Sequence, residues 1–296
     1  MSGILYLVAT PIGNLDDITL RAINTLKEAD FIAAEDTRHS LKLLNHLNIS
    51  KPLISYHRHN ENIKSDLLID KLLDNKNIAL ITDAGTPIIS DPGEEIVKIA
   101  LEKNIKVVPI PGACALITAL ISSGLNASSF SFLGFLPLNK KNRKQKLEEI
   151  QNSKNTVILY EAPHKLISTL QDLNKILENR KIVLAKELTK IHESFISGTA
   201  NELLQKIENP KGEFVMVIEG NNNSENDYLD FINSLSLEEH YQFYSSQGFS
   251  KNDIIKKIAK DKNVSKNEIY QHFIAKWEAP SFSFLNIKFF SVYFFR

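Results

Sequence analysis

The chain has 296 residues, and its 35 Lys and Arg balance 35 Asp and Glu, so the formal charge is zero. Hydrophobic residues make up 43% and charged residues 24%, which fits a globular protein and excludes collagen-like, disordered and polytopic membrane chains. A single cysteine, Cys114, excludes a disulfide scaffold and any cysteine-cluster metal site, and suits a reducing, cytoplasmic compartment. At about 150 residues per domain, the length predicts roughly two domains.

The N-terminal stretch MSGILYLVATPIGN has neither the basic region nor the cleavage site of a signal peptide, so ILYLVAT (4–10) reads as a first strand. Further strands are predicted at 31–36, 52–56, 78–82, 106–110, 131–135, 156–161, 181–185 and 214–219. Amphipathic stretches at 61–74, 93–103, 113–124, 164–178 and 200–208 have helical length. This alternation predicts an α/β protein with a largely parallel sheet. The break at 134–145 divides a first α/β domain (1–136) from a second (137–221). A polar linker, GNNNSEND (220–227), leads into a small helical domain at 222–278. There Ser250 and Ser265, each followed three residues later by an acid, predict capped helices at 251–261 and 266–277 that resemble a helix-turn-helix. The last segment, 279–296, is an aromatic tail with no assigned role, shorter than the ~20 residues that span a bilayer.

The neutral total hides local charge. Residues 1–138 carry a net −3, residues 139–146 (NKKNRKQK) +5, and residues 251–276 +4. Lys140, Lys141, Arg143, Lys144 and Lys146 are therefore candidate contacts for a polyanion, and the helical unit is a second candidate.

Four loops carry Gly or Pro just after an apolar run: 9–22 (ATPIGNLDDITLRA), 83–93 (DAGTPIISDPG), 111–115 (PGACA) and 161–165 (EAPHK). In open α/β sheets ligands bind at the carboxyl ends of strands, so these loops are expected to share one cleft. Gly85 and Gly112 allow close backbone approach, and Asp83 and Thr86 can hydrogen-bond a polar ligand. Neither the G-x-G-x-x-G fingerprint nor a P-loop is present, and no His or Cys spacing suits a catalytic metal. Charged and imidazole groups cluster at other strand ends. Glu35, Asp36 and Arg38 follow FIAA, His57 follows LISY, and Lys186 ends IVLAK. They form a candidate acid–base and orienting pool, in which Glu35 and Arg38 could equally pair with each other.

The segments ATPIGNLDDIT, AEDTR, SYHRHNE, DAGTPIISDPG, PIPGACA, YEAPHK and LAKELTKIHE together resemble the bacterial rRNA small-subunit methyltransferase I family of the tetrapyrrole-methylase-like fold. The resemblance covers residues 3–220, with Ala113 where the motif more often has Pro. It implies two αβα domains, a homodimer, and S-adenosyl-L-methionine held by Pro11, Ile12, Gly85, Thr86, Ile89, Gly112, Ala113, Tyr160 and Ala185. The implied reaction is 2′-O-methylation of the ribose of cytidine 1402 in 16S rRNA. A tetrapyrrole C-methyltransferase and a non-catalytic RNA-binding assembly factor remain alternatives at this level.

Overall fold

The computed structural model describes residues 2–177, 179–221 and 231–277. The aromatic tail and most of the polar linker lie outside the described residues. Residues 1–221 form one unit and the chain beyond them a second. No helix of the described residues is long and apolar enough to cross a membrane.

The first five apolar runs form β1 (Ile4–Val8), β2 (Phe31–Ala34), β3 (Leu53–Ser55), β4 (Ile78–Ile81) and β5 (Lys106–Ile110). They assemble as a sheet in the order β3-β2-β4-β1-β5, with every pairing parallel. Parallel strands need crossovers and are covered on both faces, which explains why β4 (IALI) is buried at every position. The crossovers are α1 (Leu20–Glu28), α2 (Thr37–His46), α3 (Glu61–Leu73) and α4 (Glu94–Glu102), and α5 (Ala115–Ser122) follows the last strand. Leu5, Leu80, Leu68 and Ile96 meet on one face, and Val8, Ile32, Leu26 and Leu44 on the other.

The second sheet comprises β6 (Phe130–Phe135), β7 (Thr156–Glu161), β8 (Ile182–Lys186), β9 (Ser194–Gly198) and β10 (Phe214–Ile218), ordered β6-β7-β10-β8-β9. Only β6 and β7 run parallel. The largely parallel expectation therefore holds for the first sheet alone, since β10 inserts antiparallel between β7 and β8. Strand β6, read as the end of the first domain, pairs with β7, so the change of sheet falls after β5 rather than at residue 136. Helices α6 (Lys140–Asn152), α7 (Pro163–Asn174) and α8 (Ala200–Lys206) cover one face, bringing Ile150, Leu166, Leu170 and Leu203 into one cluster with Leu159 of β7. Leu116, Ala119 and Leu120 of α5 pack on the other face, against Ile158, Val183 and Val217. This apolar layer joins the two halves of the first unit.

The second unit holds α9 (Leu237–Ser246), α10 (Lys251–Asp261) and α11 (Lys266–Trp277). The two predicted caps form: the Ser250 hydroxyl accepts from the Asp253 N–H at 3.4 Å, and Ser265 from the Glu268 N–H at 3.2 Å. Tyr241, Ile254, Ile258 and Phe273 make its core.

Candidate active-site cleft

Three adjacent strands, β4, β1 and β5, end at one edge of the first sheet, and the loops leaving them are tied together. Thr10 and Gly85 exchange backbone hydrogen bonds at 2.9 and 3.0 Å, which fastens the first loop to the second. The Thr86 hydroxyl donates to the Ala113 carbonyl at 3.0 Å, which fastens the second to the third. Gly85 has φ +88°, and a Cβ there would stand 3.3 Å from Ile12 Cγ2, so only glycine suits both backbone and space. A Cβ on Gly112 would meet Ala9 Cβ at 2.8 Å. The second loop also holds Ile88 at φ +78° and Ser90 at φ +71°. A β-branched residue in that region costs on the order of 1–3 kcal/mol and persists only where its surroundings fix it.

The facing wall comes from the second sheet. Val215 on β10 is in register with Tyr160 on β7 and with Ala185 on β8, and Tyr160 is in register with Phe135 on β6. These four residues form one row across four strands, and all line a cleft of about 330 Å³. Tyr160 packs edge-on against Phe132 and Phe135, and its hydroxyl accepts from the Leu116 N–H at 3.3 Å. Burial pushes that phenol well above its ordinary range. Ile12, Gly85, Thr86 and Ile89 line the opposite side, with Asp91 beside them.

Of the residues expected to hold a ligand, Ile12, Gly85, Thr86, Ile89, Tyr160 and Ala185 therefore border the cleft. Pro11, Gly112 and Ala113 belong to the same loops without lining it. Asp83 stands behind, where its Oδ1 accepts from the Asp36 N–H at 3.1 Å. Sequence reasoning missed Val215, Phe135 and Leu188, whose place depends on strand register, and did not single out Asp91 within its loop.

The acid–base pool does not line the cleft. Asp36 caps α2 and pairs with Arg38 at 2.9 Å, and the exposed guanidinium holds its carboxyl down at about 2. The pairing weighed for Glu35 and Arg38 thus goes to Asp36. Glu35 is half-buried, and burial together with the Asp83 charge raises its proton affinity. His57 Nε2 lies 3.2 Å from Asn60 Nδ2, while its buried Nδ1 has no partner. Lys186 follows Ala185 on β8, and alternation puts it on the opposite sheet face from the cleft.

The basic run forms the first two turns of α6, capped by Asn139, whose Oδ1 accepts from the Lys141 N–H at 3.0 Å. Lys140, Lys141 and Lys144 are exposed. Lys146 pairs with Glu149 at 2.7 Å. Arg143 turns inward, donating to Asp172 Oδ2 at 2.9 Å and to the Thr169 hydroxyl at 3.0 Å.

Comparison with known proteins identifies the family and the fold. Residues 4–204 match the family described as Tetrapyrrole (Corrin/Porphyrin) Methylases. Ribosomal RNA small subunit methyltransferase I of Halalkalibacterium halodurans is 50% identical over 270 residues, covering 90% of this chain and 93% of its own. The protein of that name from Bacillus subtilis is 48% identical over 277 residues, covering 93% and 95%. Among solved structures, diphthine synthase superposes with a TM-score of 0.60 at 16% identity, covering 74% of this chain and 90% of its own. Uroporphyrin-III C-methyl transferase from Thermus thermophilus, complexed with S-adenyl homocysteine, gives 0.52 at 18% identity, covering 73% and 97%. The fold and the relatives thus converge: this chain is a member of the ribosomal RNA small subunit methyltransferase I family, built on the tetrapyrrole methylase fold.

Proposed function

We propose that the protein uses S-adenosyl-L-methionine to methylate the ribose 2′-oxygen of cytidine 1402 in 16S rRNA. The observation that carries this reading is the 50% identity to a named ribosomal RNA small subunit methyltransferase I across nine-tenths of the chain. The cleft suits the cofactor on its own terms. Its volume of about 330 Å³ lies in the range of about 300–1,000 Å³ usual for small-molecule sites. The rings of Phe135 and Tyr160 line it, and an aromatic face attracts a cation. Ile12, Gly85, Thr86 and Ile89 would hold the ligand from the first sheet, and Tyr160 and Ala185 from the second. When bound, S-adenosyl-L-methionine supplies a methyl group already activated on a sulfonium.

The protein's own tasks are alignment, exclusion of water and removal of a proton from a poor nucleophile. Lys140, Lys141 and Lys144 offer exposed charge to rRNA phosphates, and the Lys-rich helical unit adds a second docking surface. The substrate is the small ribosomal subunit or its 16S rRNA, the enzyme works in the cytoplasm, and two copies form a homodimer.

The test is incubation with labelled cofactor and small subunits from a strain lacking the modification, followed by nucleoside mapping. Label in 2′-O-methylcytidine at position 1402 is expected. Label on another nucleotide, or on a tetrapyrrole acceptor alone, refutes the reading.

A further inference from the structure

Three acidic residues line the cleft, and their bonding separates them. Glu161 is 3% exposed and both its oxygens are engaged: Oε1 accepts from the Ala162 N–H at 2.9 Å, and Oε2 from the Thr169 hydroxyl at 2.6 Å. Glu213 binds Lys190 at 2.8 Å and its side chain is 77% exposed, so a cation and water already occupy it. Asp91 is half-buried at the cleft wall, in a loop fixed by the Thr10–Gly85 pair and by the Gly93 N–H, which donates to Glu61 Oε1 at 2.7 Å. The left-handed Ile88 and Ser90 just before it set the direction in which the loop presents it.

We infer that Asp91 is the catalytic base, accepting the proton of the ribose 2′-hydroxyl. This rests on the ribose methylation proposed above. The groups facing Asp91 are Glu35 from the end of β2, Arg58 from the loop after β3, Thr82 and Asp83 from the end of β4, and Tyr160 across the cleft. Burial first, then the charges of Glu35 and Asp83, push its carboxyl up to about 7, against the opposing pull of Arg58 and the Thr82 hydroxyl. A base is most effective when its proton affinity lies near the working pH.

In the step, the hydroxyl O–H bond breaks as its proton passes to the Asp91 carboxylate. The oxygen's electron pair forms the new bond to the methyl carbon. The carbon–sulfur pair stays on sulfur, which discharges the sulfonium, and Asp91 then gives its proton to solvent.

The test uses the full chain with Asp91→Asn and Asp91→Glu. Asp91→Asn should bind S-adenosylhomocysteine with wild-type affinity and lose about 10²-fold or more in kcat. Wild-type kcat/KM should rise with pH to a plateau above about 7, and Asp91→Glu should keep part of the activity with that limb moved. Infrared difference spectra without RNA should show a carboxyl band titrating near the same pH, absent in Asp91→Asn. Wild-type kcat in Asp91→Asn, loss of S-adenosylhomocysteine binding in the folded variant, or survival of the carboxyl band overturns the assignment. If Asp91→Asn does not fold, Asp91→Glu decides: an unmoved limb and carboxyl band overturn it. A wild-type protein that leaves small subunits unmethylated refutes the proposed function instead, and the infrared titration distinguishes the two failures.

Discussion

Arg143 has a more covered side chain than Lys146, at 17% against 37% exposure, and replacing it separates structural charge from the charge proposed to bind RNA. Arg143→Ala removes the hydrogen bonds to Asp172 and Thr169 together with the packing of the aliphatic stem. Asp172 keeps Lys175 at 3.2 Å and is 29% exposed, so the cost stays below the about 3–5 kcal/mol of a broken, fully buried pair. A lost hydrogen bond to a charged group is worth about 1.5–3 kcal/mol, and with the stem we expect about 2–3 kcal/mol. For a unit of this size, at roughly 2–4 °C per kcal/mol, Tm should fall by about 4–12 °C. Lys140→Ala, Lys141→Ala and Lys144→Ala should each change stability by no more than about 0.5 kcal/mol. Combined, they should flatten the log–log salt dependence of RNA binding by about 0.7 per lost phosphate contact. Calorimetric melting and filter binding over a salt series measure both. An unchanged Tm with a flatter salt slope in Arg143→Ala would show that Arg143 contacts RNA and that the inward network is not its role.

Other substitutions test the cleft and the helical unit. Gly85→Val, at φ +88° and 3.3 Å from Ile12, should abolish S-adenosylhomocysteine binding in titration calorimetry while circular dichroism stays native; wild-type affinity in the folded variant would place the ligand elsewhere. Thr86→Ala loses only the bond to the Ala113 carbonyl and should cost about 0.5–1.5 kcal/mol by chemical denaturation. Glu161→Gln turns an acceptor of the Thr169 proton into an amide while Arg143 still donates to the same hydroxyl; a loss of about 1–3 kcal/mol is expected, and a neutral result would contradict the network. In the helical unit, burial lowers the proton affinity of His240 against the pull of Asp261 at 3.0 Å, with Tyr244 and Lys262 nearby. The native state then binds fewer protons there than the unfolded chain, so stability is held above about pH 6.5 and lost as pH falls through it. Hydrogen-exchange protection factors in α9 and α10, referred to the intrinsic rate at each pH, should fall on acidification, and His240→Phe should blunt that change.

Local pattern carries information only as far as its causes are local. The buried strands of the first sheet were legible because doubly covered parallel strands read as unbroken apolar runs, as IALI does. Strand β9 escaped because SFISG lies at an edge and half faces solvent, which leaves Phe195 40% exposed. The caps at Ser250 and Ser265 were legible because a cap and its N–H lie three residues apart. The row formed by Phe135, Tyr160, Val215 and Ala185 was not, since it exists only once β10 inserts between β7 and β8.

The same reasoning separates charged groups whose setting the sequence leaves open. AEDTR places Glu35, Asp36 and Arg38 together, yet backbone geometry makes Asp36 the helix cap, and the cap takes the arginine. NKKNRKQK presents five like charges, yet helical spacing turns Arg143 alone toward Asp172, sets Lys146 against Glu149, and leaves Lys140, Lys141 and Lys144 exposed. Along the cleft, Glu161 is saturated, Glu213 is solvated, and Asp91 is half-buried among like charges. Three carboxylates of the same chemistry thus become a strut, a surface ion pair and a group tuned to neutral pH. What differs between them is how many hydrogen-bond donors each has gained and how much water each has lost. Neither quantity can be read from one position and its neighbours in sequence, because both are set by strands and loops that meet only in the folded chain.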